Sequence, residues 1–296
     1  MCGIVGYAGD ADSGRDALPL LIDGLERLEY RGYDSAGVCL RTDPLTVHKK
    51  AGEVDELKKA TPESSDATCG LGHTRWSTHG EPTDENAHPH TDVGNRYAVV
   101  HNGIIENYDA LRGELEEKGY EFTSETDTEV VPHLLADAEG NLLESLRTAA
   151  ERLEGSYALA CVSAEKDEVV VARQDSPLVV GHGEEANYIG SDVTAFVEHT
   201  REVSYLRDGD VARVTAGGVE VWNGGERVDR EVETVDWDVE AAEKGGYDHY
   251  MLKEIHEQPR SLRQTVSERA DEVEGEATLD VPDRVLARHS RVEFVA

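Results

Sequence analysis

The chain has 296 residues and carries 62 acidic against 29 basic side chains, a formal net charge of −33. So acidic a chain lacks the basic footprint that phosphate contacts require, which excludes nucleic acid as an expected partner. No apolar stretch approaches the roughly 20 residues of a membrane span, and no signal peptide is recognisable, so we expect a cytoplasmic protein that binds no membrane.

Apolar residues make up 38% of the chain, and their periodicity favours a folded protein over a disordered one. We interpret the charge as an acidic surface of the kind that halophilic proteins use. The alternative is that the acidic residues are concentrated in a linker and a tail. The four cysteines, Cys2, Cys39, Cys69 and Cys161, form no C-x-x-C pair. This spacing predicts neither a zinc site nor a disulfide framework and fits a reducing compartment.

The apolar patterns predict strands mixed with helices first and then mostly strands. The first strand covers 3–8, and the first helix opens at Ser13-Gly14 and is stopped by Gly32. Further strands are predicted at 38–40, 45–48, 69–74 and 97–100, helices at 53–60, 107–118, 128–138 and 142–153, and seven short strands between 157 and 222. This order predicts an α+β fold in which two antiparallel sheets pack together with helices outside.

The domain organisation follows from composition. We expect one domain over 2–222 and a charged, glycine-rich linker over 223–248. A helical segment over 247–269 is interrupted by Pro259. The chain stops on a strand-like run at 292–296, so we expect residues 223–296 to be a linker and the start of a second, truncated domain.

Cys2 directly follows the initiator methionine. If Met1 is removed, Cys2 carries a thiol and a free α-amine, which together are a nucleophile and a base in one residue. Their ordinary pKa values, about 8.5 and about 7.7–8.0, bring both near their working forms at neutral pH. The alternative is that Cys2 is a small buried residue that starts a strand, which is the commoner case for a free cysteine.

Other polar side chains follow predicted strands. Arg75 can bind a carboxylate through two hydrogen bonds, or it can form a surface salt bridge; Trp76 beside it is either a core aromatic or a lid. Asn102-Gly103 offers a side-chain and a backbone N–H, the parts of an oxyanion hole, but Asn-Gly is also the strongest hairpin-turn signal. Asp127 can fix an ammonium group or start a helix. Taken together, these groups describe glutamine as the substrate.

A metal site is a weak alternative. His88-Pro89-His90 supplies two imidazoles without a nearby set of carboxylates, which is a poor ligand set. We therefore predict no metal and no cofactor.

As a set, six motifs resemble the class II glutamine amidotransferases, and among them the branch that aminates fructose-6-phosphate. They are Cys2–Gly6, Tyr30–Gly37, Gly72–Trp76, Thr78–Gly80, His101–Asn107 and Ser124–Glu129. Two of them, Tyr30–Asp34 and Arg75-Trp76, separate the chain from the purine-pathway amidotransferases. Ser77 departs from the pattern, since alanine is more usual there.

The resemblance implies a fold and a set of roles. The fold is the N-terminal-nucleophile hydrolase sandwich with four αββα layers. Cys2 is the nucleophile after Met1 is removed, and Asn102 and Gly103 form the oxyanion hole. The substrate-binding residues are Arg75 and Asp127 for the glutamine carboxylate and amine, Trp76, Thr78 and His79 in a mobile loop that closes over it, and Arg31 as a support of the site.

The resemblance also implies what the protein does. Glutamine is hydrolysed through a Cys2 thioester, and the ammonia passes to fructose-6-phosphate in the full-length protein, which is expected to be a homodimer. Two alternatives stay open. The glutaminase can serve another acceptor, or the chain can be a non-catalytic glutamine-binding module, which retention of Met1 would favour.

Overall fold

The structure, a computed structural model, describes residues 2–10, 14–77 and 80–236 together with 252, 255–256, 258, 270–271 and 276–277. It divides the chain into two compact units, Met1–Val239 and Glu240–Ala296. In the second unit, Ala270–Asp271 pairs antiparallel with Glu276–Ala277. Most of the predicted linker and helical segment after residue 236 lies outside the described residues, although Leu252 and Ile255 are helical there.

The first unit contains strands and helices in the predicted order. The strands are β1 Gly3–Gly9, β2 Ser35–Leu40, β3 Thr46–Ala51, β4 Cys69–Arg75, β5 His90–Thr91, β6 Tyr97–Ile105, β7 Gly155–Ser163, β8 Lys166–Gln174, β9 Val179–His182, β10 Ala186–Gly190, β11 Glu202–Tyr205, β12 Asp210–Thr215, β13 Gly218–Asn223, β14 Glu226–Val228 and β15 Glu233–Thr234. The helices are α1 Ala17–Leu28, α2 Val54–Ala60, α3 Tyr108–Glu117, α4 Val130–Asp137 and α5 Leu142–Ala150.

The strands form two antiparallel sheets. The first has the order β15-β11-β9-β10-β1-β4-β2-β3, and the second has the order β14-β13-β12-β8-β7-β6-β5. Strand β1 lies between β4 and β10, so residues at its beginning are flanked by the end of β4. The beginning of β1, next to Cys2, therefore lies in the interior of the first sheet. The Asn102-Gly103 pair lies in the long strand β6 of the second sheet.

Three buried clusters show how the layers stack. Strands alternate their side chains between two faces: Ile4 and Ala8 of β1 join a core that also contains residues of β6, β7 and β8 and so lies between the sheets. Val5 and Tyr7, on the other face of β1, pack with the apolar side of α1. The outer face of the second sheet packs against α3, α4 and α5. The result is a four-layer αββα sandwich, as predicted.

Local details differ from the sequence predictions at two capping positions. Gly32 does not adopt the left-handed conformation of a helix stop; its backbone is extended, and a Cβ there would lie 2.6 Å from the carbonyl carbon of Arg75. Gly32 instead allows its backbone to approach the backbone of Arg75 and Trp76 closely. Asn107 precedes α3 but does not cap it: its side chain bonds the Arg152 carbonyl and the Glu154 amide instead.

The sheets also continue past residue 222. Strand β14 pairs with β13, and β15 pairs with β11, so short strands occupy part of the segment that the sequence indicates as linker. Their few alternating apolar residues explain why the pattern did not reveal them. Across the described ranges, no helix combines the length and the apolar character that a membrane crossing needs.

Candidate active site

The candidate site forms where the beginning of β1 meets the end of β4 and the middle of β6. Gly3 is paired with Thr74, which places Cys2 beside Arg75 and Trp76. A small pocket there is lined by Cys2, Arg75, Trp76, His88, His101, Gly103, Thr126, Asp127 and Thr128. Residues that the sequence distributes over more than 120 positions thus share one cavity.

The Cys2 thiol lies against the backbone of Trp76. Its Sγ accepts a hydrogen bond from the Trp76 N–H at 3.3 Å and lies 3.5 Å from the Trp76 carbonyl oxygen. Burial raises the pKa of the thiol, while the Trp76 N–H and the positive charges of Arg75 and Arg31 act in the opposite direction. Since the net shift is upward, thiolate formation at neutral pH requires a base close to the sulfur.

The main-chain carbonyl of Cys2 is held from two sides. The Asn102 amide donates to it through Nδ2, and the Arg31 guanidinium donates through Nε, both at 3.0 Å. Arg31 also lies 3.8 Å from Asp192 and is buried. Arg31 is not among the residues that line the pocket, so its contact is with the nucleophile itself.

Asn102 and Gly103 lie inside β6 rather than in a hairpin turn. The turn alternative is therefore wrong. Gly103 has φ of +132°, and a Cβ there would lie 2.0 Å from the carbonyl oxygen of Ser156. Only glycine fits this backbone position, because both its conformation and the neighbouring strand exclude a side chain.

Arg75 and Asp127 lie in the same pocket and are both buried. Arg75 is 3% exposed, which rules out the surface salt bridge. Burial lowers its pKa, and the charges of Cys2, Asp127 and Asp34 oppose this shift. Asp127 starts a 3₁₀ turn before α4, as one alternative expected, but its Oδ2 accepts from the Ile105 N–H at 2.8 Å. Its carboxylate is thus fixed by β6.

Trp76 lies at the mouth of the pocket. Its side chain is 45% exposed and meets the Tyr33 ring edge-on, with 5.5 Å between the centroids. The core-aromatic alternative is therefore wrong. The next residue, Ser77, donates its N–H to the Asp34 carboxylate at 2.8 Å. Thr78 and His79, the other predicted members of this loop, lie outside the described residues.

Sequence reasoning missed several polar residues at the site. His101, Thr126 and Thr128 line the pocket, and Thr128 Oγ1 bonds the His101 ring at 2.8 Å. His73 lies behind Asn102, with its Nε2 at 3.1 Å from Oδ1. The available signal was a run of polar residues at the end of a buried strand, since His73 and Thr74 precede Arg75 in β4 and all three are buried.

The His88-Pro89-His90 segment packs as part of a histidine cluster. The His88 ring meets His73 and His90 edge-on at centroid distances of 4.3 and 4.7 Å. Burial lowers the pKa of His73 to about 3, and the pKa values of His88 and His90 are also lowered well below their ordinary range by burial. All three imidazoles are therefore neutral at physiological pH. In the ranges that the structure covers, no three potential ligands are grouped as a metal would require.

Comparison with known proteins adds to this geometry. Residues 73–198 match a family described as the glutamine amidotransferase domain. A relative from Halobacterium salinarum is 55% identical over 95% of this chain and 46% of its own length. A relative from Clostridium acetobutylicum is 52% identical over 91% of this chain and 44% of its own length. A relative from Thermus thermophilus is 52% identical over 94% of this chain and 46% of its own length. The chain therefore contains a class II glutamine amidotransferase domain.

These three relatives are named glutamine–fructose-6-phosphate aminotransferase (isomerizing). The chain spans about half the length of the curated relatives it matches. The fold has a solved counterpart in glutamine phosphoribosylpyrophosphate amidotransferase from B. subtilis, with a TM-score of 0.63 and 28% identity over 75% of this chain and 49% of that chain. The fold is thus the N-terminal-nucleophile hydrolase sandwich.

Proposed function

We propose that this domain hydrolyses glutamine at Cys2 and supplies the released ammonia to a sugar-phosphate acceptor in the full-length protein. The observation that carries the proposal is that one small pocket contains the Cys2 thiol, the Arg75 guanidinium and the Asp127 carboxylate. A nucleophile, a cation and an anion in one cavity match the amide, the α-carboxylate and the α-ammonium of glutamine.

The nucleophile requires removal of Met1. The α-amine of Cys2 then accepts the thiol proton, directly or through a water molecule, which overcomes the raised pKa of the buried sulfur. The thiolate attacks the side-chain amide carbon of glutamine, and the protonated amine returns a proton to the departing nitrogen. The C–N bond breaks and ammonia leaves. Water then attacks the glutamyl thioester, the C–S bond breaks, and glutamate and the thiol are released.

Asn102 and Gly103 stabilise the oxyanion in this mechanism. A primary amide has two N–H donors, and the contact with the Cys2 carbonyl uses one hydrogen of Asn102 Nδ2. The second hydrogen is available for the oxyanion, beside the backbone N–H of Gly103. The oxyanion forms next to the attacking sulfur, so the tether between Asn102 and Cys2 keeps the donor in register with the nucleophile.

The other end of glutamine is held by charges. Arg75 binds the α-carboxylate and Asp127 binds the α-ammonium, each from a rigid part of the fold. Trp76, at the mouth of the pocket, covers the bound substrate. Arg31 acts on the nucleophile by holding the Cys2 carbonyl.

For the full-length protein, we propose fructose-6-phosphate as the acceptor, glucosamine-6-phosphate as the product, and a homodimer as the assembly. The names of the relatives support the first two. The domain over 2–222 with its short extension is the glutaminase half, and the remainder leads into the sugar-phosphate half. The four free cysteines support a reducing cytoplasm, and the net charge of −33 argues against nucleic acid as a partner.

The test is a coupled assay of the purified 296-residue chain. We expect glutamate and ammonia from glutamine in equal amounts, and no amino sugar when fructose-6-phosphate is added. Cys2→Ala serves as the matched control for contaminating glutaminase. Absence of glutamate release from a correctly processed, folded chain would overturn the proposal, and detection of glucosamine-6-phosphate would show that the domain boundary is misplaced.

A further inference from the structure

His73 lies two residues before Arg75, on the same face of β4. Cys69 and Leu71 of that face join the core between the sheets, so the face is turned toward the second sheet. His73 is completely buried. Its Nε2 reaches two oxygens of β6: the main-chain carbonyl of His101 at 3.0 Å and Oδ1 of Asn102 at 3.1 Å. His73 is thus a bridge between the sheets that ends on the side chain assigned to the oxyanion hole.

The chemistry of these atoms fixes the hydrogen on His73. A main-chain carbonyl can only accept, so Nε2 must carry the hydrogen. The imidazole is neutral because burial lowers its pKa to about 3, so Nδ1 is bare. In agreement, Nδ1 has no hydrogen-bond partner among the described residues.

The same logic fixes the amide of Asn102. The atom that faces the Nε2–H of His73 must accept, which makes it the oxygen Oδ1. The amide nitrogen then faces the carbonyl of Cys2, which can also only accept. A rotation of the amide by half a turn would bring two donors together at His73 and two acceptors together at Cys2. The amide orientation is therefore determined at both ends.

We propose that His73 is a positioning residue that sets the polarity of the Asn102 amide, so that its N–H₂ group faces the reacting carbonyl oxygen. The inference rests on the proposed oxyanion role of Asn102. It assigns His73 no contact with glutamine, so the loss of its N–H affects the transition state and leaves substrate binding unchanged.

A double-mutant cycle tests the inference. His73→Phe removes the donor and keeps a ring of similar size, and we expect kcat to fall about 3- to 10-fold with KM unchanged, the range for one neutral hydrogen bond. In the Asn102→Ala background the same change should cause no further loss of kcat.

His73→Gln, whose amide N–H can reach the same oxygens, should restore most of the kcat that His73→Phe loses. His133→Phe is the matched control, because His133 is an equally buried imidazole in α4, beside Tyr120 and Phe122, and should keep the kcat of the parent protein.

The outcomes distinguish the oxyanion role of Asn102 from the positioning role of His73. If Asn102→Ala alone leaves kcat unchanged, the oxyanion role fails, and the inference fails with it. If Asn102→Ala lowers kcat but His73→Phe does not, or lowers it equally in both backgrounds, only the positioning role is overturned. The tautomer of His73 gives a second test, which needs no activity measurement on a variant. ¹⁵N NMR of histidine-labelled native protein, assigned with His73→Gln, should show a protonated Nε2 and a bare Nδ1 for His73; the opposite tautomer would overturn the inference.

Discussion

The Asn102 side chain donates a 3.0 Å hydrogen bond to the main-chain carbonyl of Cys2, a residue 100 positions earlier in the chain. The bond joins the centre of one sheet to the other sheet across the sandwich. It therefore holds the nucleophile and the oxyanion donor at a fixed separation, which is the geometric requirement for stabilising charge beside the attacking sulfur. Arg31 donates to the same carbonyl from the 3₁₀ turn Glu29–Arg31 that follows α1.

The first prediction concerns processing. In cells Met1 should be removed, because cysteine is a small second residue, and the free amine of Cys2 then serves as the base. Intact mass spectrometry should show the loss of one methionine. Cys2→Ala should abolish glutamine hydrolysis and leave glutamine binding intact, since Arg75 and Asp127 remain in place.

Full retention of Met1 in an active preparation would contradict the N-terminal-amine mechanism. Retention in an inactive preparation that still binds glutamine would favour the non-catalytic binding module. Hydrolysis by Cys2→Ala would instead make Cys2 a structural residue.

The second prediction separates transition-state from ground-state contacts. Asn102→Ala should lower kcat about 10²–10³-fold with little change in KM, the usual cost of one oxyanion donor. Arg75→Ala should mainly raise KM, because Arg75 holds the end of glutamine that does not react. Steady-state kinetics of both variants decide the matter, and the reverse pattern would mean that the two roles have been exchanged.

The third prediction concerns Gly103. Gly103→Ala should destabilise the fold by at least about 1–3 kcal/mol, because the added Cβ would lie 2.0 Å from the Ser156 carbonyl at a φ of +132°. Gly113→Ala is the matched control. Gly113 lies exposed in α3 with open space around its Cβ position, so the same change should stabilise by about 0.5–1 kcal/mol. Urea unfolding of both variants gives the comparison, and equal stability of Gly103→Ala and the parent would refute the steric argument.

The fourth prediction is a loss of stability in mild acid. Burial lowers the pKa values of His73, His88 and His90 in the folded state, whereas an unfolded histidine titrates near about 6.5. Below that pH the unfolded chain binds more protons, so the free energy of unfolding falls as the pH falls. Each such histidine contributes up to about 1.4 kcal/mol per pH unit.

His88→Phe provides the measurement. Both ring nitrogens of His88 lack a hydrogen-bond partner among the described residues, so phenylalanine loses no such bond there. The free energy of unfolding in molar KCl, measured at about pH 7.5 and about pH 5, should drop less in the variant, by up to about 2 kcal/mol. An identical pH dependence in the two proteins would show that His88 takes up no extra proton on unfolding.

The fifth prediction concerns salt. Fewer than a third of the acidic residues follow residue 222, so most of the negative charge lies within residues 1–222 and not in the segment after them. The Debye length falls from roughly 8 Å at 0.15 M to roughly 3 Å at 1 M ionic strength, which screens the repulsion between surface carboxylates. Exposed pairs such as Lys59–Glu56 weaken as well, but each contributes little.

The melting temperature should therefore rise steeply between about 0.1 M and about 2 M KCl or NaCl, with glutaminase activity following stability. Thermal melts at the two concentrations make the comparison. Equal midpoints would rule out a halophilic adaptation of the fold and would leave the charge without a role in stability.

The sequence by itself determined the elements and the family of this protein. Local periodicity predicts β1, α1 and most other strands and helices, because alternation and helical spacing are properties of short segments. The position of Cys2 behind Met1 indicates the chemistry for the same reason, and the motifs around Arg75 and Asp127 indicate the substrate.

Only the tertiary structure decided between alternatives that share one local signal. Asn102-Gly103 has the composition of a turn, yet it lies within β6 because long-range pairing with β7 outweighs the local preference. The contacts of His73 with Asn102 and of Arg31 with Cys2 depend on the register and spacing of separate elements, which no short segment encodes. Their physical basis is hydrogen bonding between buried groups, whose partners are selected by the packing of the two sheets and not by neighbours in the sequence.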